Sequence, residues 1–337
     1  MNGQHFEDAM STPEQRGAGA NGPHALTLRA WREILFRVWR GNGTHNLSLM
    51  AAGVAFYAFL SFVPLLGALV MSYGLVADPA TVATHMRLII ELVPADAARL
   101  IYDQLLNLTR AAATAKGLGL AIAIGISIFG ASRAARAVMT ALNVIYDERD
   151  TRGIIRSAAV SAVLVAGAVF LGVFGMLAAS ALGFARELAE GIGPFAALVM
   201  RVVTWLCAGI FCSFTIAAMY RFAPHRADAR WRWLTTGSLL ATVMWLIATL
   251  GFGVYVAEFG SYQATYGSLG AVVVLLMWLY VSAYAVLLGG LINAEAERQT
   301  ACDTTTGASR PIGQRGATVA DMSVAADIYP ALGRSRR

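Results

Sequence analysis

The sequence predicts an all-α integral membrane protein with six transmembrane helices, an N-terminal interfacial helix, and an amphipathic helical cap between the first two spans. Three observations carry this. The 337 residues are 57% hydrophobic and only 14% charged, with a mean hydropathy of +0.59, which lies outside the range of ordinary globular domains. From residue 259 to residue 294 no side chain is charged, and a helix that long exceeds the ~20 residues that cross a hydrocarbon layer of about 30 Å. Arginine is also distributed between alternate loops so unevenly that it assigns them to opposite membrane faces.

Residues 1–25 and 299–337 are rich in Gly, Ser, Thr, Ala and Arg without periodicity, and are expected to be disordered tails flanking a membrane domain at 26–298. The first tail lacks a basic start followed by an apolar core, so no cleavable signal peptide is expected and the first span serves as the uncleaved signal. Over 26–40, Leu28, Trp31, Leu35, Val38 and Trp39 alternate with Arg29, Arg32, Arg37 and Arg40, predicting an amphipathic helix in the headgroup plane.

The first span runs over 47–73, with Gly53, Tyr57, Ser61, Pro64 and Ala68 on one face. Pro64 removes a backbone donor and crowds the carbonyl of Leu60, so a kink is expected, with Ser61 one turn away to solvate it. A static packing kink is the plainer reading; a hinge in a substrate path is the alternative. Asp78-Pro79 then opens two helices, 79–92 and 95–111, separated by Pro94. Neither is apolar enough to span, and together they form the expected cap.

The second span starts after Lys116, but only residues 117–132 precede Arg133, too few to cross. The helix is therefore expected to continue. Arg133, Arg136, Thr140, Asn143 and Asp147 make a polar stripe at steps of three and four, opposite Ala135, Val138, Met139, Leu142, Ile145 and Tyr146. Two readings stand side by side: the arginines snorkel to the headgroups and fix topology, or they line a cavity that accepts an anion. The remaining spans are 157–183, 196–220, 234–257 and 266–293. Ser282, Ala285, Gly289 and Asn293 give the last one a small, polar face suited to helix packing. Gly175, Ala179 and Gly183 read as a packing seam ahead of a dimer motif, and a homo-oligomer stays open.

With these spans, twenty of the 26 basic residues fall on the side of both termini and five on the other, Arg201 lying at a helix end. Both termini are thus expected in the cytoplasm. The same asymmetry accounts for the net charge of +6 through membrane lipids as partners, without nucleic acid. Cys207, Cys212 and Cys302 form no disulfide framework.

Two stretches carry a family resemblance: Ala55-Phe56-Tyr57 leading to Ser61 and Pro64-Leu65-Leu66, and Tyr266-Gly267-Ser268-Leu269-Gly270 followed by Trp278-Leu279-Tyr280, Leu288-Gly289-Gly290 and Asn293-Ala294-Glu295. Ser132-Arg133, Asn143, Tyr146, Tyr220 and Pro224 fit the pattern between them. Over about residues 30–297 the chain resembles the YihY/BrkB family of bacterial inner-membrane proteins, some of which bear an old ribonuclease BN label. The resemblance implies a six-helix fold and an inner-membrane location, and no reaction.

Metal-dependent RNA cleavage needs clustered His and Asp. His5, His24, His45, His85 and His225 are scattered without ligand spacing, and neither a GxxxxGK[ST] phosphate loop nor a Gly-x-Ser-x-Gly elbow occurs. No catalytic residue, metal ligand or cofactor is expected. The favoured function is a transporter or permease-like path for an amphipathic or anionic solute, such as a lipid or envelope precursor. Arg133, Arg136, Thr140 and Asn143 are its candidate anion-binding residues; Tyr57, Ser61, Pro64, Ser282, Gly289 and Asn293 are candidates for helix break or packing. A non-transporting scaffold is the alternative class, and a membrane-associated ribonuclease ranks behind it.

Overall fold

The computed structural model describes residues 16–74, 118–168, 170, 183, 185, 191, 193–258 and 268–324. Among the described residues, regular structure is helical, with one isolated antiparallel bridge between Ala229 and Thr305. Helix α1 (Leu28–Thr44) starts where the Thr27 hydroxyl accepts the Ala30 N–H at 3.2 Å, satisfying a donor that the first turn leaves open. Its buried face is Ala30, Ile34, Val38 and Gly41. The helix expected over 26–40 therefore runs on to Thr44. At Asn46 the backbone takes a φ of 52°, which asparagine tolerates, and the chain turns by 64° into α2 (Leu47–Gly74).

Helix α2 stays helical across Pro64 and pairs with α3 (Leu118–Ile145), which runs through Arg133 and Arg136 without interruption. The two backbones meet at Gly130, where a Cβ would lie 2.8 Å from Ser61 Cα, so only glycine permits this approach. Helix α4 (Ile154–Ala168) joins α3 through the Ser161 hydroxyl, which donates to the Ser132 carbonyl at 3.1 Å. Helix α5 (Pro194–Phe222) opens with proline in its first turn, where no N–H is needed. It packs beside α6 (Trp231–Glu258), which in turn crosses α7 (Ser268–Gln299). A one-turn helix, α8 (Thr318–Asp321), follows.

By length and composition, Pro194–Phe222, Trp231–Tyr255 and Val272–Gln299 can each cross a membrane, and the bent pair α1–α2 adds a fourth candidate. The cap expected at 79–111, and residues 171–182 of the span expected at 157–183, lie outside the described residues.

Among the described residues, the core is concentrated at the arginine-rich end of the bundle, where Tyr146, Tyr220, Trp233, Leu234, Leu287 and Leu291 are fully buried. Residues 16–25 and 300–324, which fall within the two tails expected to be disordered, fold onto this end. Thr300 donates through its hydroxyl to the carbonyls of Ala18 and Ala20, at 3.1 and 2.8 Å. The Arg230 N–H donates to the Thr304 carbonyl and the Thr306 N–H to the Asp228 carbonyl, both at 2.9 Å. The guanidinium of Arg315, only 4% exposed, donates to the carbonyls of Ala301, Cys302, Arg310 and Ala320. One buried cation thus gathers the segment's own backbone, a substitute for the apolar core that its composition lacks.

Candidate functional site

Two polar arrangements occur at this end, one inside the bundle and one on its flank. The inner one begins with the close crossing of α6 and α7. A Cβ on Gly237 would lie 2.2 Å from the Gly289 carbonyl oxygen, so the helices touch backbone to backbone. Asn293, fully buried, locks this crossing: its Oδ1 accepts the Gly237 N–H at 2.7 Å and its Nδ2 donates to the Leu234 carbonyl at 3.1 Å. One turn further, Glu297 accepts two bonds from Arg226 Nη2, at 2.8 and 2.9 Å, and one from the Thr304 hydroxyl at 2.8 Å.

The Arg226–Glu297 pair is sealed from solvent, with side chains 1% and 0% exposed. Arg226 also stacks on the Tyr146 ring, 4.5 Å from its centroid. Burial opposes the charge on Arg226, but the Glu297 carboxylate, together with Tyr146 and Glu148, outweighs it and holds the guanidinium above its ordinary pKa. Glu295 pairs with Arg37 of α1 at 2.6 Å and with Arg298 at 3.2 Å, while Arg298 also reaches Asp147. Four segments (α1, the end of α3, the 223–230 loop and α7) are tied together by these ions.

The sequence pattern did not single out Arg226, Glu297, Glu295 or Arg37 as a set. Its one signal was the position of two glutamates, 295 and 297, closing an apolar helix on the face where the arginines gather.

The flanking arrangement is the α3 stripe, which the structure divides. Asn143 is buried: its Oδ1 accepts the His225 N–H at 2.7 Å and its Nδ2 donates to Asp150 at 3.4 Å, so it anchors the 223–230 loop. Arg133, Arg136 and Thr140 stay exposed on the helix surface. Arg136 and Arg133 lie about 10 and 15 Å further along the axis than Asn143. The Arg133 guanidinium sits 5.1 Å from the centroid of Phe129, one turn further from the arginine-rich end.

Of the other sequence-derived candidates, Ser61 is buried and donates to the Ala58 carbonyl at 2.8 Å, and Tyr57 is partly exposed beside Phe56. Pro64 lies within α2. Ser282 accepts from Trp245 Nε1 at 3.0 Å, and Gly289 and Asn293 lie at the α6–α7 crossing. The structure brings Ser282, Gly289 and Asn293 together on one packed face and leaves them apart from Arg133 and Arg136. Among the described residues, no group of three or more His, Cys, Asp or Glu is placed to hold a metal ion.

The chain is 32% identical over 280 residues to a UPF0761 membrane protein of Ralstonia nicotianae, covering 79% of this chain and 60% of that one. It is 27% identical over 284 residues to a UPF0761 membrane protein of Psychromonas ingrahamii, covering 79% and 88%. The ribonuclease-like protein YfkH of Bacillus subtilis is 27% identical over 174 residues, 50% of this chain and 62% of that one. The chain thus spans about three fifths of the length of the Bacillus and Ralstonia relatives. No solved structure matches. A family model described as Virulence factor BrkB matches residues 38–312, and with the apolar helices on which that match lies, the chain belongs to the BrkB family of membrane proteins.

Proposed function

We propose that this chain is a six-span protein of the bacterial inner membrane, with cytoplasmic termini, that provides a transport path for an anionic amphipathic solute. A lipid or an envelope precursor has that chemistry. The observation that carries the reading is the depth of Arg133: on a helix whose side chains lean toward its N-terminal end, the guanidinium lies over Phe129, one turn further from the arginine-rich end. A charge held about 15 Å along the helix from Asn143 costs several kcal/mol in hydrocarbon and persists where it is wet or paired. Arg136 and Thr140 share its exposed face, which is how a hydrated, anion-accepting surface would be built.

Aromatic and basic side chains at the same end support the placement of the membrane boundary. Trp231 stacks on Phe214 at 5.6 Å, with the Arg221 guanidinium 5.0 Å from the Trp231 ring. The ribonuclease-like name of the Bacillus relative belongs to that protein, and transport needs none of its chemistry.

Mass spectrometry of lipids and metabolites that co-purify with wild type and with Arg133→Gln/Arg136→Gln tests the proposal. An anionic species should be lost from the double variant while membrane insertion and thermal stability are kept. Arg133→Lys/Arg136→Lys should retain part of it, since charge survives without the planar two-pronged contact. Identical profiles in wild type and the Gln variant would sink the reading and leave these arginines a topological role.

A further inference from the structure

We propose that the outer face of α1 is a docking surface for anionic phospholipid, with Arg32 and Arg40 meeting headgroup phosphates. The structure separates the four arginines of this helix, which the amphipathic pattern alone could not do. Arg37 points inward, donating from Nε to Glu295 at 2.6 Å and from Nη2 to Gln299 at 2.6 Å. Arg29 pairs with Glu33, which also faces Arg16. Arg32 and Arg40 stand on the exposed side.

Around them lie Leu28, Leu35, Phe36 and Trp39, exposed by 90, 54, 56 and 74%. The Arg40 guanidinium stacks 5.7 Å from the Phe36 ring centroid. Glu33, the one acidic residue in α1, belongs to the ion pairs of the other side. This face is therefore apolar and purely cationic at once, the pairing by which interfacial helices enter the boundary between acyl chains and anionic headgroups.

Position selects the occupant. Helix α1 leads through a 64° bend into α2, whose Leu49, Phe56 and Leu60 are likewise exposed, so the face is continuous with a surface that meets acyl chains. A helix turned by that angle at the end of a span lies obliquely along the boundary, with its buried face on the bundle. The inference needs only that the bundle is embedded, and stands apart from the transport reading of Arg133 and Arg136.

Trp39 is a reporter in the middle of the proposed surface. The full chain would be placed in nanodiscs of phosphatidylcholine with a minor fraction of phosphatidylglycerol, and bromine carried on the acyl chains of an equal fraction of one lipid or the other. The Trp39 signal is the difference between wild type and Trp39→Phe. Brominated phosphatidylglycerol should quench it several-fold more than the same fraction of brominated phosphatidylcholine, because each arginine near a membrane surface enriches anionic lipid by about fivefold. Arg32→Gln/Arg40→Gln should bring the two lipids level, and Arg32→Lys/Arg40→Lys should keep the preference. Absence of quenching by either lipid would place the face in water or against protein and overturn the proposal. Equal quenching in wild type would overturn anion selection, and a preference surviving the Gln pair would overturn the role of these arginines.

Discussion

Replacing Glu297 by Ala leaves Arg226 charged, sealed from solvent and without its carboxylate. The structure sets the scale of the loss. Both side chains are essentially fully buried, two hydrogen bonds of 2.8 and 2.9 Å join them, and the Thr304 hydroxyl adds a third to the same carboxylate. Charge centres about 4 Å apart at an effective dielectric of about 20 attract by ~4 kcal/mol, and breaking one side of a buried pair costs about 3–5 kcal/mol because the remaining charge is stranded. For a chain of 337 residues that corresponds to roughly 4–7 °C in melting temperature.

The double variant Arg226→Met/Glu297→Met removes the stranded charge as well and should recover most of the loss, since apolar replacement of a buried pair is often neutral or better. Thermal unfolding of the detergent-solubilised chain, followed by intrinsic fluorescence, reads both. A Glu297→Ala shift within about 2 °C of wild type, or a double variant as unstable as the single, would refute the claim that this pair is a desolvated ion pair whose halves depend on each other.

Gly237→Ala should lower thermal stability by about 1–3 kcal/mol, because its Cβ would meet the Gly289 carbonyl oxygen at 2.2 Å. Gly209→Ala, where nothing lies within 4 Å, is the matched control and should be neutral or slightly stabilising, so equal effects at the two sites would contradict the crossing. At Asp303 burial works against the charge, but the Arg310 and Thr305 N–H groups, the Thr305 hydroxyl and Arg315 outweigh it and hold the carboxyl below its usual pKa. Its stabilisation is therefore complete above the ordinary carboxylate value of about 3.9 and is lost as pH falls through the lower, folded value. Amide exchange over 300–324 should stay protected down to about pH 4 and rise only below it, whereas Asp303→Asn should expose the segment already at neutral pH. Loss of protection near pH 6 in wild type would mean that another group controls it.

What the sequence determined is whatever depends on neighbours along the chain. The charge-free run before Glu295 requires a buried or spanning helix, and Met139, Leu142 and Ile145, spaced to share a face of α3, are all buried, as is Tyr146 just after it. Family membership was legible for the same reason, in short ordered words such as Asn293-Ala294-Glu295. Tertiary structure alone decided which charges meet. Arg226 and Glu297 are 71 positions apart and Arg37 and Glu295 are 258 apart, so their pairing depends on the paths of loops that no periodicity encodes. It also decided that Arg37 turns inward while Arg32 and Arg40 remain outside, since all three satisfy one amphipathic pattern. Residues 300–324 make the point most directly. Their composition lacks the apolar surface that offsets chain entropy and reads as disorder, yet Arg315, Asp303 and Thr304 satisfy buried groups there, and hydrogen-bond satisfaction of that kind is a property of three-dimensional placement.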